Sequence, residues 1–368
     1  MKIGVITFHR AVNYGALLQT YALQRVLNKM NIQNEVIDYR CKSIEDRYWR
    51  VLKKQSFLSM VKTCILYKRD SKKRKKFLEF INCNIKLSKN QYLSHEDLIS
   101  TNNEYDYFIT GSDQVWNYNM VGFDEAYFLN FVENGHKKCS YAASLGIQTL
   151  PEEYHLKYKK LLENFDQISV RENRGKDILS NFINKDIEVV LDPTLLLDKQ
   201  EWKDIATVPY DKDYILIYII KWSDSLFEFA YKLSIKTGYK IKYITNGIKK
   251  PIRNAEYITT AGIEEFVGLF LNARYIVTNS FHGTVFSLIM NKDFFLELQN
   301  PPAPNDRLEN IMDTYKLRCR QIIDGKNDKI YEKIDYNYIN QKLEINKNQS
   351  LEFLRNIIKN NSQCINNI

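Results

Sequence analysis

The sequence predicts an α/β protein of two Rossmann-like domains facing across a cleft. Strand-like apolar runs alternate with helical periods along most of the chain. The alternation breaks once, at 195–212, where acidic and basic residues and Pro209 leave no clear period. At 368 residues, the chain is too long for one compact core and suits two. The domains are placed at 1–200 and 201–325, with a basic helical insertion at 45–82 in the first and a helical tail at 326–368.

The first domain opens with a strand over 2–8, a polar loop from His9 to Tyr14, and a helix beginning at Gly15. Leu18, Ala22, Val26 and Leu23, Leu27, Met30 form its apolar stripe, opposite Thr20, Gln24, Arg25, Asn28 and Lys29. A second strand, Glu35–Tyr39, completes the β-loop-α-β opening of a doubly wound domain. Strands follow at 105–110, 139–143, 168–171 and 188–191, with a polar helix at about 151–165. In the second domain, strands at 214–220, 240–245, 275–278 and 294–298 alternate with helices at 225–237, 262–272 and 282–290. Ligands of such domains sit at the carboxyl ends of the strands.

The formal charge is +9, from 53 basic and 44 acidic residues, which favours anionic partners without choosing among them. Ten of the basic residues crowd 53–76 among apolar ones, reading as one or two amphipathic helices. They fit either peripheral contact with an anionic membrane or an exposed helical insertion. Six scattered cysteines include no C-x-x-C and no His at ligand spacing, which argues against a zinc site or a disulfide framework. No metal is expected. The N-terminal apolar run is too short for a signal peptide, and no apolar run could span a bilayer. The expectation is a cytoplasmic protein, free or peripheral at the inner face of the membrane. No RNA-recognition, KH or helix-turn-helix pattern supports a nucleic-acid partner.

Three segments can carry chemistry. Thr278-Asn279-Ser280-Phe281-His282-Gly283-Thr284 joins a buried strand to an apolar helix, whose first amides and dipole receive anions. Gly283 permits close approach, Ser280 and Thr284 supply hydroxyls, and His282 is a proton-transfer candidate. Gly111-Ser112-Asp113-Gln114-Val115-Trp116-Asn117 also follows a strand. Asp113 is an acid, base or sugar-hydroxyl acceptor, while Trp116 either stacks on a pyranose or belongs to the core. In His9-Arg10-Ala11-Val12-Asn13-Tyr14-Gly15-Ala16, Asn13 holds a substrate hydroxyl or caps the helix. This loop lacks the G-x-G-x-x-G of a dinucleotide site. Arg171 and Arg307 have the guanidinium geometry for carboxylate or phosphate.

The segments TFHRAVNYGALLQTYALQ (7–24), GSDQVWN (111–117), SYAASLG (140–146), SVRE (169–172) and LDPTLLLDKQEW (191–202) together resemble the polysaccharide pyruvyl transferase family. AGIEEFVGLFLNARYIVTNSFHGTVFSLIMNK (261–292) and NDRLENIM (305–312) extend the resemblance, which spares only the basic insertion and the tail. The family pattern has Asp where Asn279 stands and a Leu-Gly-like turn where Lys221-Trp222 stands.

The resemblance implies a two-domain architecture like the GT-B glycosyltransferases, with phosphoenolpyruvate as co-substrate and no cofactor or metal. It implies that the enolpyruvyl group passes to a sugar acceptor, free or lipid-linked, as a pyruvate ketal with release of phosphate. His282 matches the family's functional histidine and Arg171 the arginine after its strand. On this reading Arg171, Ser280, Gly283, Thr284 and Arg307 bind the donor, Asn13, Tyr14, Gly15, Gln114 and Trp116 bind the acceptor, and Asp113 is the base. The rival readings are a GT-B-like glycosyltransferase using a nucleotide sugar and a non-enzymatic binding protein. No ribose-binding carboxylate stands out at the end of a second-domain strand.

Overall fold

The computed structural model describes residues 1–49, 57–133, 135–247, 250–299 and 305–365, without the side chains of 57–68 and 358–365. By internal contacts it divides into two units, 1–50, 81–197 and 343–368 against 51–80 and 198–342. The break after Leu197 falls inside the stretch where the sequence loses its period.

The first unit contains β1 (Lys2–Ile6), α1 (Tyr14–Lys29), β2 (Gln33–Tyr39) and α2 (Lys42–Tyr48). Helix α3 (Phe57–Asn84) runs across the division, and β3 (Leu87–Tyr92), α4 (His95–Ile99), β4 (Tyr107–Thr110) and β5 (Lys137–Ser140) follow. Then come α5 (Glu152–Leu162), β6 (Ile168–Val170), α6 (Asn173–Ser180) and β7 (Ile187–Val189). The main sheet is parallel with order β3-β2-β1-β4-β5. Isolated bridges Cys139–Gln167 and Ala143–Val170 attach the β6-β7 pair beyond β5.

The second unit repeats the plan with α7 (Lys199–Asp204), β8 (Ile215–Tyr218), α8 (Asp224–Thr237), β9 (Ile241–Ile244) and β10 (Ala255–Ile258). Helix α9 (Ile263–Asn272), β11 (Tyr275–Thr278), α10 (Phe281–Ile289), β12 (Asp293–Leu296) and α11 (Asp306–Thr314) complete it, before the long α12 (Tyr336–Ile365). Its sheet is again five parallel strands, in the order β10-β9-β8-β11-β12. Two Rossmann-like sheets are therefore present, as the sequence predicts. In each, the strand order reverses beside the first strand, at β1/β4 and β8/β11. Loops leaving there diverge and open a crevice at the carboxyl edge.

Three expectations need correction. Helix α1 has no broad polar face: Gln19, Thr20 and Gln24 are buried with the leucines. They are tolerated because most of their polar atoms are bonded, the Gln19 amide nitrogen and the Thr20 hydroxyl to the Ala16 carbonyl at 2.8 Å, and Gln24 to both the amide and the carbonyl of Lys86 at 2.7 and 3.0 Å. The basic stretch does not group with the first domain, since 51–80 belongs to the second unit. On α3, Lys73 donates to Asn246 at 2.7 Å, Lys76 pairs with Glu265, and Phe77 is buried. Among the described side chains of this stretch Lys72 and Lys75 are exposed, while Lys53, Lys54 and the side chains of Lys62 and Lys68 lie outside the described residues. The tail is not a separate helical body, because 343–368 joins the first unit, where the Ser350 hydroxyl accepts from the Leu191 amide at 3.0 Å. Strands β3 and β10 were not foreseen. β3 buries only Ser88 and Tyr92 completely, and β10 has no fully buried residue, so neither reads as an apolar run.

Candidate functional site

The chemistry-bearing segments all land at the two switch points. In the first unit the loop after β1 meets the loop after β4, joined by the Thr7 hydroxyl donating to the Ser112 carbonyl at 2.9 Å. Asp113 sits at this junction with φ +77°, a left-handed conformation that Asp tolerates better than most residues. Its backbone forms a bridge with Ala143, and its carbonyl accepts from Val115 and Ser144. The side chain accepts from the Gln114 amide at 2.8 Å and remains partly accessible.

Behind Asp113 lies a buried ionic cluster. The Arg171 side chain is 1% exposed and donates to Asp192 at 2.8 Å, with Asp113 at 3.8 Å and Glu172 at 3.9 Å. Burial opposes its charge, but the three carboxylates outweigh that and raise its pKa further. Asp192 also accepts from the amide and hydroxyl of Thr194 and from Ser112, and Glu172 accepts from Ser144, Leu145 and Gly146. One cation among three carboxylates leaves the cluster net negative.

The remaining residues of the first unit divide by exposure. Asn13 is exposed and caps α1, accepting from the Ala16 amide at 3.3 Å, while Tyr14 and Gly15 are buried in the first turn. Gln114 is half-buried and accepts from Asn117 at 2.8 Å. Trp116 is corrected to a core residue: it is 0% exposed, stacks on Phe128 at 5.7 Å, and its indole N–H donates to the Tyr127 carbonyl. No sugar can reach its face.

Beside this junction lies a buried pair that sequence reasoning did not identify, His9 Nε2 and Asp38 Oδ1 at 3.0 Å. Arg40 makes a two-pronged bond to the same carboxylate at 2.7 and 2.8 Å. Burial works against the charge of Asp38, but the bonds from His9 and Arg40 prevail and bring its pKa from 3.8 down to about 2. The unfolded state therefore binds more protons between these values, so the contribution is complete above pH 4 and lost as pH falls toward 2. Asp38→Asn is expected to cost about 2 kcal/mol near neutrality, and urea denaturation should show the difference from the parent closing below about pH 2. An unchanged gap at both pH values would refute this linkage.

In the second unit, the β8/β11 junction is tied by side chains at the end of β11. The Thr278 hydroxyl donates to the Tyr218 carbonyl at 2.5 Å and accepts from the Ser280 amide at 3.0 Å. Asn279 accepts from the Ile220 amide at 2.9 Å and donates to the Lys221 carbonyl at 2.7 Å. The two departures from the family pattern are thus one feature. An amide both gives and takes here, whereas a carboxylate could only accept.

Ser280 caps α10 by accepting from the Gly283 amide at 3.3 Å. The Thr284 amide and hydroxyl both donate to the Ser280 carbonyl. Ser280 and Thr284 are 0% exposed. A Cβ on Gly283 would lie 2.2 Å from the Thr278 hydroxyl, so this glycine serves close packing inside the unit. Gly283, Thr284 and Ser280 therefore shape the turn rather than face a ligand, a correction to the expectation for all three. His282, 8% exposed, lies in the first turn of α10 with its ring against Phe281. The Arg307 guanidinium, at the start of α11, stands 5.6 Å from the centre of that same Phe281 ring. One cation and one imidazole thus flank Phe281 at the carboxyl edge of the sheet.

The profile of the polysaccharide pyruvyl transferase family matches residues 13–296. The chain belongs to the polysaccharide pyruvyl transferase family. The match begins beyond β1, includes Asp113 and the His282 turn, and ends at the last residue of β12. Among curated proteins, none matches the chain in sequence.

Solved structures share the fold. UDP-GlcNAc 2-epimerase from Neisseria meningitidis bound to UDP-GlcNAc is 14% identical over 95% of this chain and 94% of its own, with a TM-score of 0.52. The enzyme from Methanocaldococcus jannaschii in complex with UDP-GlcNAc and UDP is 13% identical over 98% and 99%, with a TM-score of 0.50. A glycosyltransferase from Rickettsia africae ESF-5 is 11% identical over 98% of each chain, also at 0.50. At such identities the likeness concerns architecture and establishes the GT-B-like fold of this family member. Among the described residues no helix is long and apolar enough to cross a membrane, and no group of three or more His, Cys, Asp or Glu could hold a metal ion.

Proposed function

We propose that this member of the family transfers the enolpyruvyl group of phosphoenolpyruvate to a sugar as a cyclic pyruvate ketal. The observation that carries the reading is the family match across the His282 turn, where His282 and Arg307 flank Phe281. In the proposed reaction a proton adds to the methylene carbon of phosphoenolpyruvate, leaving C2 oxocarbenium-like. A sugar hydroxyl attacks C2 and loses its proton to a base. The C2–O bond to phosphate breaks with its electron pair, and a second hydroxyl closes the ketal. Of the two hydroxyl protons released, one balances the proton added to carbon and the other goes to the leaving phosphate, giving hydrogen phosphate with no net proton.

His282 is assigned the proton transfer to the donor or to the leaving phosphate. Arg307 is assigned to the donor's phosphate or carboxylate, because it stands beside the His282 turn and a guanidinium binds such groups bidentately. Asp113, partly accessible and held from behind by Arg171, is assigned as the base for the sugar hydroxyl. The expected result is phosphate release from phosphoenolpyruvate only when a suitable glycan is present, with mass spectrometry showing one ketal gained. Transfer of a hexose from a nucleotide sugar would replace this reading by the glycosyltransferase.

A further inference from the structure

We infer that the second unit carries its own saccharide subsite, an acid-lined cavity at the β8/β11 switch point that takes the hydroxyls of an uncharged sugar and excludes nucleotide diphosphates. The inference rests on the reading that this chain acts on a glycan. The cavity encloses about 580 Å³, within the usual size of small-molecule sites. It is built by the loops after β8, β11 and β12 and by the start of α8 and α11. The Asn279 bonds described above fix its floor, holding Ile220 and Lys221 in place.

Its charge decides what it can hold. Asp224, Glu297, Glu309 and Asp324 line it; Asp224 is paired with Lys250 at 3.0 Å, so among the described lining residues three carboxylates stand against one lysine, Lys221. The start of α8 offers an anion little, because Ser223 already accepts from the Leu226 amide and Asp224 occupies the first turn. A diphosphate would meet like charge with few donors. Sugar hydroxyls, by contrast, donate to carboxylates and exchange bonds in both directions with amides. The side chains of Glu309, Asp324, Gln299 and Gln321 hydrogen-bond to none of the described residues, so the cavity wall offers acceptors and amide donors together. Trp222, packed on Phe227 with ring centres 4.3 Å apart, gives the same cavity one apolar wall. An aromatic wall beside convergent carboxylates and amides matches a pyranose, which presents C–H faces and hydroxyl edges.

Saturation-transfer NMR on the full chain tests this with the methyl glycosides of galactose, glucose and mannose, and with UDP and inorganic phosphate as anionic probes. At least one glycoside is expected to bind saturably, and neither UDP nor phosphate to displace it. Trp222→Ala and Glu309→Ala should each weaken that binding, by about tenfold for a lost sugar hydrogen bond. Glu309 is a half-buried helix-surface side chain, so its variant keeps the test valid if Trp222→Ala does not fold. Displacement by UDP, or glycoside binding indifferent to both variants, would overturn the subsite. So would ketal formation on a glycan by a protein that binds none of the glycosides. Glycoside binding with the expected dependences but no pyruvate incorporation would instead keep the subsite and remove the pyruvyl-transfer reading.

Discussion

His282→Ala is expected to lower kcat for ketal formation by about 10²–10⁴, the usual range for a general acid–base residue. The effect should be large because the imidazole lies in the first turn of α10 next to Phe281, where Arg307 brings a positive charge. His282→Gln keeps a polar side chain of similar reach but cannot exchange a proton at neutral pH. It should therefore recover donor binding without recovering rate, which separates proton transfer from simple contact. The parent's pH profile of kcat should contain an ionisation that is missing from His282→Gln. Near-parent turnover with the same profile would return His282 to a packing role, as would a variant that loses its folded near-UV spectrum.

The second large effect concerns stability. Arg171→Met is expected to cost about 3–5 kcal/mol in denaturant unfolding, the usual penalty for orphaning a buried charge. Asp192 is the group left behind: its side chain is fully buried and pairs with Arg171 at 2.8 Å. Arg171→Lys should rescue little, because a point-charge ammonium cannot address three carboxylates spread around a planar guanidinium. The double variant Arg171→Met, Asp192→Asn should be more stable than Arg171→Met alone, since it removes the stranded charge. A protein with unchanged stability but a strongly raised KM for phosphoenolpyruvate would overturn this account and make Arg171 a direct donor ligand.

The two effects differ in how far the sequence foretold them. His282 stands between an apolar strand and an apolar helix in seven consecutive residues, so local pattern alone marked the turn. Arg171 was also marked, but its surroundings were not. Its partners Asp113 and Asp192 lie 58 and 21 positions away, by subtraction of their numbers, and meet it only because β4 and the β5–β6 region run side by side. His9 and Asp38 behave alike, joined across the parallel β1–β2 pair. Trp116 shows the converse: polar neighbours in sequence suggested a surface platform, while Phe128 and Phe165 close over it in space.

The sequence by itself determined the α/β class, the pair of Rossmann-like sheets, and the turns that lie at the carboxyl edges of both. These follow from periods of 2 and 3.6 and from local capping chemistry, which short windows of residues encode. Only the tertiary structure decided which of those residues are buried and which are exposed. Ser280, Gly283, Thr284 and Trp116 turned inward, and the carboxylates around Arg171 gathered from distant loops. It also placed the basic helix α3 against the second unit and assembled the acid-lined cavity beside Asn279. The physical reason is that exposure and charge balance at a site depend on contacts between strands far apart in sequence, and strand order in a parallel sheet is set by crossovers that local pattern does not specify.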